Sequence, residues 1–396
     1  MKLLNNNIKS YVAYTTILTL TMGFPTFIFY AIGVLAPTLI QEFAIDKSII
    51  GLLTMGTFAC AAILSLWAGN IVKYLGAKKS LIVLFSCVFI SFSLLIIFRS
   101  FYGMIVALLF CGISQSLANP ITNLMIAQRV DDRFKSIIIG IKQSGIQLLA
   151  LFAGLFIPFI LQKYEWQFTF TLLLPILFIL MILAPKMALS NDSSTPLTLE
   201  FIKPNKLLTL LMLTQSCVGV AVASFVTYLG LFAISLGISP LHIGLLISLY
   251  SLMGIISRVC FTTATNRIKD KTLLLPLLIS ATIIVFVILM FANPQRLWPI
   301  WVAALGMGTT AVVCNVIAIS MLLKDNRFGQ PVNSSGLLSS GFYVGFTFGP
   351  ILFGLVQLLP FGFYAGWFML IIVLLLALSI SIILYRTNKK EIYNID

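Results

Sequence analysis

Long apolar stretches recur along almost the whole chain, and they restrict its fold more than any other feature. Each is about twenty residues long, and short polar segments separate them. An α-helix needs about twenty apolar residues to cross the hydrocarbon core of a bilayer. Continuous runs of this length exclude a transmembrane β-barrel, whose strands alternate over about ten residues. Only 9% of the residues are charged. The sequence therefore predicts an all-α membrane protein.

Twelve transmembrane helices are predicted, arranged as two bundles of six. Their approximate bounds are 11–40, 49–70, 80–98, 102–127, 135–161, 166–185, 207–234, 241–264, 272–292, 297–323, 331–357 and 363–385. The one long polar insert, residues 186–206, is rich in Ser, Asn, Thr and Pro, as linkers are. We therefore expect a six-helix bundle at 1–185, a cytoplasmic linker at 186–206, and a second bundle with a short cytoplasmic tail at 207–396.

The basic residues predict the orientation in the membrane. If the N-terminus is cytoplasmic, the cytoplasmic segments contain 19 of the 25 Lys and Arg residues and the outer loops contain four. Cytoplasmic loops of membrane proteins are enriched in these residues. We therefore expect both termini in the cytoplasm and a multi-pass protein of a bacterial inner membrane.

The two halves repeat one another at a nearly constant spacing. Residues 45–53 resemble residues 238–246 without a gap, at a spacing of 193. Four further pairs match at a spacing of 196: Gly112 with Gly308, Asn119 with Asn315, Gly140 with Gly336, and Gly145 with Gly341. Duplicated bundles place a substrate site between them near the membrane midplane. In this alignment Lys142 matches Leu338 and Gln143 matches Ser339, so this polar pair belongs to one half only.

The segment after the second span resembles a signature of the major facilitator superfamily. That family has Gly-x-x-x-Asp-Arg-x-Gly-Arg-Lys, and here both glycines and the final lysine match as Gly69, Gly76 and Lys78. Lys73 replaces the acid, which puts the family's usual cytoplasmic gate contact in doubt. The C-terminal counterpart ends at Arg267. The resemblance implies two six-helix halves, a rocker-switch cycle of alternating access, and gating roles for these five residues.

Two further segments are similar to the cyanate-permease-like branch of that superfamily. They are residues 112–120 in the fourth span and residues 140–145, Gly-Ile-Lys-Gln-Ser-Gly, in the fifth. That branch is associated with small anions, so the resemblance implies a substrate of that kind.

The charged residues inside the predicted spans are both cations. Lys142 and Arg258 each lie about 12 Å from a predicted cytoplasmic boundary, whereas all 11 acidic residues fall in predicted loops, linker or tail. Charges at such depth are costly and usually functional. We expect Lys142 to be the first anion contact and Arg258 the second. The alternatives are structural: Lys142 could bond the neighbouring fourth span, and Arg258 could bond carbonyls at a helix end.

Polar side chains near these cations are candidates for orienting a substrate. Gln115, Asn119 and Asn123 recur every four residues on one face of the fourth span. Such amides either line a cavity or join helices by hydrogen bonds. The other predicted substrate-binding residues are Gln143, Gln147, Tyr30, Gln215, Tyr228, Asn315 and Tyr343.

These patterns favour a secondary transporter that moves a small, anionic solute across the inner membrane as a monomer. The abundant Phe and Met leave open an exporter of amphipathic or neutral compounds, such as a drug or a siderophore, and a receptor on the same fold is a further alternative. The sequence contains no catalytic triad, phosphate loop or metal-ligand spacing, so we expect no enzyme activity, cofactor or metal. It contains no basic run with interleaved aromatic residues, so we expect no nucleic-acid partner.

Overall fold

The computed structural model describes residues 2–189, 203–264 and 271–393, and these residues are almost entirely helical. The helices are α1 (Lys2–Phe43), α2 (Ile50–Ile97), α3 (Phe101–Arg129), α4 (Asp132–Ile160), α5 (Gln167–Met187), α6 (Lys206–Ser235), α7 (Pro240–Ala264), α8 (Leu274–Leu289), α9 (Trp298–Thr309), α10 (Ala311–Lys324), α11 (Pro331–Val356) and α12 (Phe363–Tyr393). Within this part of the chain, 10 helical segments are long and apolar enough to cross a membrane. The prediction of an all-α membrane protein is confirmed.

These helices do not correspond one to one with the predicted spans. Helix α2 has 48 residues and covers the second and third predicted spans, with a kink between them at Gly76. The tenth span is divided into α9 and α10 at Thr310, whose φ is −114°. Helix α8 has only 16 residues. The count of twelve crossings therefore stays a prediction.

Helix α2 changes direction at Gly76. Its φ of 72° and ψ of 164° are non-helical, whereas the residues on both sides continue the helix. This backbone conformation is essentially restricted to glycine, because a Cβ atom collides with the backbone there. The predicted loop between the second and third spans is thus reduced to a break at a single residue.

Replacing Gly76 with alanine should lower the free energy of unfolding by about 1–3 kcal/mol, the cost of forcing a side chain into this conformation. Thermal unfolding in detergent measures the effect. Gly56→Ala in the same helix is the matched control, because a Cβ there would meet its nearest neighbour at 3.8 Å. It should be neutral or stabilising, since alanine favours a helix over glycine by about 1 kcal/mol. Equal destabilisation by both substitutions would contradict the role given to Gly76.

The interhelical loops separate into two groups at opposite ends of the bundle. At one end, Arg99 forms an ion pair of 2.7 Å with Glu165, and the indole of Trp166 donates to Glu42 at 2.6 Å. These loops were predicted to lie outside, so we call this the outer end and the opposite one the inner end. Which side of the membrane each end faces stays a prediction.

The packing of the helices repeats between the two halves. A Cβ on Gly112 of α3 would fall 2.5 Å from the Thr57 carbonyl oxygen of α2. Its predicted counterpart, Gly308 of α9, packs in the same way against the Tyr250 carbonyl of α7. Thr57 and Tyr250 are themselves 193 residues apart, which is the spacing found in the sequence. The sequence repeat is therefore also a repeat of helix crossings.

The halves meet at the outer end through three crossings, which we call the outer seam. Helix α1 contacts α6 at Gly33, α2 contacts α11 at Gly51, and α4 contacts α7 at Gly154. A Cβ on Gly33 would fall 2.8 Å from the Val226 carbonyl oxygen, and a Cβ on Gly51 would fall 2.9 Å from the Pro350 carbonyl oxygen. A Cβ on Gly154 would fall 2.6 Å from the Gly244 carbonyl oxygen. Small residues let helix backbones approach this closely. The seam closes the outer end by direct backbone contact.

Candidate functional site

A cavity of about 40 Å³ lies between the two halves at the middle of the bundle. Helices α1, α2, α3 and α4 of the first half line it together with α6, α7, α10 and α11 of the second. The lining residues are Thr26, Phe29, Tyr30, Phe58, Gln115, Asn119, Ile146, Val222, Tyr250, Arg258, Val312, Asn315, Ser339, Phe342, Tyr343 and Phe346. Six of the twelve predicted substrate-binding residues are among them: Tyr30, Gln115, Asn119, Arg258, Asn315 and Tyr343.

Arg258 is the one cation in the described lining. Helix α7 carries it toward the inner end of the cavity, where its side chain is only 5% exposed. One guanidinium nitrogen, Nη1, donates to the backbone carbonyl of Gln143 in α4. Tyr30 of α1 and Tyr250 of α7 line the same cavity, and their ring centroids are 6.3 Å apart. Arg258 therefore places a positive charge in the wall, while its bond to Gln143 ties it to the opposite half.

The amides of α3 reach across the cavity to α11. Gln115 donates through Nε2 to the Tyr343 hydroxyl at 3.0 Å, and Asn119 donates through Nδ2 to the Ser339 hydroxyl at 3.1 Å. All four side chains are buried and belong to the lining. They therefore both line the cavity and join the halves, which combines the two roles that the sequence left open.

Lys142 lies behind this wall. Its side chain is fully buried in α4, and its ammonium nitrogen Nζ donates to Thr122 Oγ1 at 2.7 Å and to Asn123 Oδ1 at 2.5 Å. Both acceptors are in α3, the fourth predicted span. Neither Lys142 nor Asn123 is among the described lining residues. Contact between Lys142 and a substrate stays a prediction, and the shown contacts fit the structural alternative.

Gln143 connects the contact made by Arg258 with the contact between Asn119 and Ser339. Its Nε2 donates to Asn119 Oδ1 at 2.9 Å, while its backbone carbonyl accepts from Arg258. A continuous polar chain therefore runs from Arg258 through Gln143 and Asn119 to Ser339, and we call it the inner bridge. It begins in α7 and ends in α11, both in the second half, and passes through α4 and α3 of the first. The bridge joins the halves on the inner side of the cavity.

The other predicted binding residues lie outside the lining. Gln147 accepts from the Tyr30 hydroxyl at 2.8 Å, and so supports a lining residue. Gln215 donates to the Cys314 carbonyl at 3.2 Å, which joins α6 to α10. Tyr228 belongs to the outer end, where its hydroxyl donates to the Ser48 carbonyl at 3.4 Å. Substrate contact by these three side chains stays a prediction.

Four of the five predicted gating residues lie around the break in the middle of α2, at the inner end of the bundle. Gly69 is buried next to Gly336 of α11, where a Cβ on Gly336 would be 3.8 Å from the Gly69 nitrogen. Gly76 makes the break described above, Lys73 is half-buried and Lys78 is exposed. Arg267 lies outside the described residues. Gating by these residues stays a prediction.

Several lining residues were not predicted from the sequence. Tyr250 and Ser339 are polar, and Ser339 had appeared only as the repeat counterpart of Gln143. Four of the eight remaining omissions are phenylalanines. Phe29, Phe58, Phe342 and Phe346 form a cluster, which we call the aromatic wall, with ring centroids 4.5 Å apart for Phe58 and Phe346 and 4.6 Å apart for Phe342 and Phe346. Among 32 Phe residues, no local pattern distinguishes these four.

The described lining combines one cation with neutral polar groups and aromatic rings. Its described residues provide a guanidinium, amides, hydroxyls and aromatic rings, and they include no Asp or Glu. A guanidinium can hold a carboxylate in two places, and neutral amides and hydroxyls can donate to the same group. Within the described parts of the chain, no three His, Cys, Asp or Glu side chains are grouped to hold a metal ion.

Comparisons with known proteins agree with this architecture. A family model described as the Major Facilitator Superfamily matches residues 17–330. The crystal structure of the human organic anion transporter MFSD10 (TETRAN) has a similar fold, with a TM-score of 0.70 and 16% sequence identity over 93% of this chain and 98% of that one. A search of curated protein sequences finds no significant match. Because the family match covers most of the sequence, this chain belongs to the Major Facilitator Superfamily.

Proposed function

We propose that this protein is a secondary transporter that moves a small anionic solute through the central cavity. One observation carries the proposal: Arg258 is a buried cation in the wall of a cavity whose described lining contains no carboxylate. A guanidinium in a cavity wall attracts an anion that enters the cavity, and it can hold a carboxylate in two places. The solute and the site would then compensate each other's charge in a place with little water.

Lys142 adds to the positive charge of the site from behind the wall. Its nitrogen bonds Thr122 and Asn123, and its chain neighbour Gln143 accepts the bond from Arg258. A buried charge is poorly screened, so it acts over a longer distance than a charge in water. We propose that Arg258 contacts the anion directly and that Lys142 strengthens its attraction.

Alternating access would use the two closures on either side of the cavity. Opening inward would break the inner bridge while the outer seam stays closed, and opening outward would separate the seam. Hydrogen bonds between membrane helices contribute about 0.6 kcal/mol each on average, so a bridge of this kind can open reversibly. We propose that the protein works in this way as a monomer in a bacterial inner membrane, with both termini in the cytoplasm.

The proposal predicts that Arg258→Gln abolishes high-affinity anion binding. A hydrogen bond to a charged group contributes about 1.5–3 kcal/mol, so the affinity should fall about 10- to 150-fold. Thermal stabilisation of the detergent-purified protein by a panel of carboxylates and inorganic anions measures this, because a ligand at 100 times its Kd adds about 2.7 kcal/mol. Lys142→Gln should weaken binding by a smaller factor.

Two variants control this experiment. Arg296→Gln removes an exposed arginine of the outer end and should leave anion binding unchanged. Arg258→Lys keeps the charge but loses the planar fork, and should bind more weakly than the wild type and more tightly than Arg258→Gln. Equal anion affinity in the wild type and in Arg258→Gln would contradict the proposal.

Export of amphipathic or neutral compounds is the second candidate, and the aromatic wall favours it. Seven of the lining residues are Phe or Tyr, and such rings bind apolar and flat molecules well. Stabilisation by dyes or siderophores but not by anions, equal in the wild type and in Arg258→Gln, would support this candidate.

A further inference from the structure

Equivalent asparagines of the two halves differ in their hydrogen bonding. Asn119 of α3 and Asn315 of α10 are 196 residues apart, at matching positions of the repeat. Asn119 donates to the Ser339 hydroxyl at 3.1 Å and accepts from Gln143 Nε2 at 2.9 Å, so both polar atoms of its amide are bonded. Asn315 is also buried, but within the described parts of the chain its side chain makes no hydrogen bond.

The sequence of α11 accounts for this difference. Gln143, which donates to Asn119, matches Ser339 in the repeat. A serine side chain is shorter than that of glutamine, and the Ser339 hydroxyl is bonded to Asn119 of the other half. The second half therefore does not reproduce the amide pair of the first. Asn315 lines the cavity instead, where its side chain is 8% exposed.

A second amide of the lining has an unbonded atom. Gln115 is buried and donates through Nε2 to Tyr343, whereas its Oε1 has no partner among the described residues. Gln115 belongs to the first half and Asn315 to the second, so both halves present amide atoms to one cavity. Buried polar groups are hydrogen-bonded in the great majority of cases, because an unpaired one costs free energy. The cavity is thus suited to a guest that supplies hydrogen bonds.

The free atoms of these amides define what the guest must carry. The Asn315 amide donates through Nδ2 and accepts through Oδ1, and Gln115 Oε1 only accepts. An ionised carboxylate also only accepts, so it leaves amide oxygens unpaired. A hydroxyl group both donates and accepts, and therefore satisfies either amide. Water does so too, but a solute that displaces water without replacing its hydrogen bonds loses affinity.

On the basis of the anionic function proposed above, we propose that the substrate class is hydroxylated anions, such as small 2-hydroxy carboxylates, and that Asn315 selects for the hydroxyl group. Arg258 attracts the charged group, Asn315 bonds the hydroxyl, and Gln115 Oε1 is a further acceptor. An anion of the same skeleton without the hydroxyl leaves the buried amide unpaired. A site built to hydrogen-bond a substrate hydroxyl rejects such an analogue more strongly than an apolar pocket rejects a missing methylene.

Two pairs of anions that differ by one hydroxyl group test this inference: glycolate with acetate, and lactate with propionate. Thermal stabilisation of the purified full-length chain is titrated with each anion at constant ionic strength. The wild type should bind each hydroxy acid about tenfold more tightly than its partner, because the partner leaves a buried amide unpaired. Asn315→Leu should make the affinities within each pair equal, mainly by weakening the binding of the hydroxy acid.

The stability of the ligand-free protein separates selection from a structural role. Asn315→Leu removes an amide that has no protein partner shown, so it should not lower the melting temperature. Asn119→Leu is the matched variant at the equivalent position, and it should lower the melting temperature because Asn119 has two interhelical hydrogen bonds. Gln167→Leu removes a buried amide of α5 outside the lining, and it should keep the wild-type ratio of affinities.

The outcomes separate selection for the hydroxyl from anion binding itself. Equal affinities within both pairs in the wild type would overturn the selection although anion binding remains. So would an unchanged ratio in Asn315→Leu and Asn315→Ala, or a loss of ligand-free stability in both as large as that in Asn119→Leu. Alanine adds no bulk, so Asn315→Ala decides the question if the leucine variant does not fold. If no anion stabilises the wild type, the proposed function fails and the substrate class fails with it.

Discussion

Gly154→Val is expected to open the outer end of the protein while leaving each half folded. A Cβ at this position would fall 2.6 Å from the Gly244 carbonyl oxygen, which is closer than side-chain carbons approach backbone oxygens. Helices α4 and α7 belong to different halves, so they can move apart without unfolding either bundle. Overpacking of this kind costs about 1–3 kcal/mol in the closed state, and the open state does not bear that cost. The equilibrium constant between the closed and the open state should therefore shift toward the open state by about 5- to 150-fold.

Spin labels at Lys163 and Gln295, in a cysteine-free background, would measure the opening. Both positions are exposed at the outer end, one in each half. Gly154→Val should lengthen the distance between the labels relative to the parent. Gly145→Val is the matched variant on the same helix, because Gly145 packs on the Thr19 carbonyl of α1 within one half. It should lower the melting temperature strongly without lengthening the distance. An equal change in label distance in both variants would contradict the role of the outer seam in closing the outer end.

Asn123→Leu is expected to destabilise the protein by about 1.5–3 kcal/mol, the range for a hydrogen bond to a charged group, and Lys142→Met should recover most of that loss. Asn123 accepts a hydrogen bond of 2.5 Å from the fully buried Lys142 nitrogen. Asn123→Leu removes one of the two acceptors shown for this nitrogen and leaves the Thr122 hydroxyl as the other. Replacing both members of a buried charged contact with apolar residues of similar size is often neutral. The double variant should therefore be close to the wild type in unfolding free energy.

A double-mutant cycle, measured by unfolding in mixed micelles, gives the coupling between the two side chains. We expect about 1.5–3 kcal/mol, the range for hydrogen bonds to charged groups. Gln215→Leu is the control, since it removes another buried amide whose partner is the neutral Cys314 carbonyl at 3.2 Å. It should cost about 1 kcal/mol. Additive losses at positions 123 and 142 would show that Lys142 is held by other contacts.

The helical architecture could be predicted from the sequence because burial in a bilayer leaves the backbone few choices. Apolar runs of this length must satisfy their hydrogen bonds internally, and helices do so. The breaks within spans were not predictable in the same way. Thr310 had been placed inside a continuous span because threonine does not interrupt an apolar pattern. Gly76 had been assigned to a loop, which the structure reduces to a break at one residue.

The candidate site was predictable only in part, and α3 shows why. Gln115 and Asn119 line the cavity as amides four residues apart should, with a rotation of about 40° between them. Asn123 is eight residues from Gln115, so it has turned by about 80° and lies about 12 Å further along the axis. At that depth it meets Lys142 instead of the cavity. A periodic stripe therefore predicts a shared helix face but not how much of that face a cavity occupies.

The sequence by itself determined the membrane fold, the repeat and the presence of two deep cations, because length, spacing and charge are local properties of the chain. Only the tertiary structure decided that Arg258 lines the cavity and Lys142 lies behind its wall. Both lie at a similar predicted depth, but the rotation and crossing of their helices direct one side chain inward and the other to α3. The aromatic wall is likewise tertiary, since its rings come from three helices of both halves.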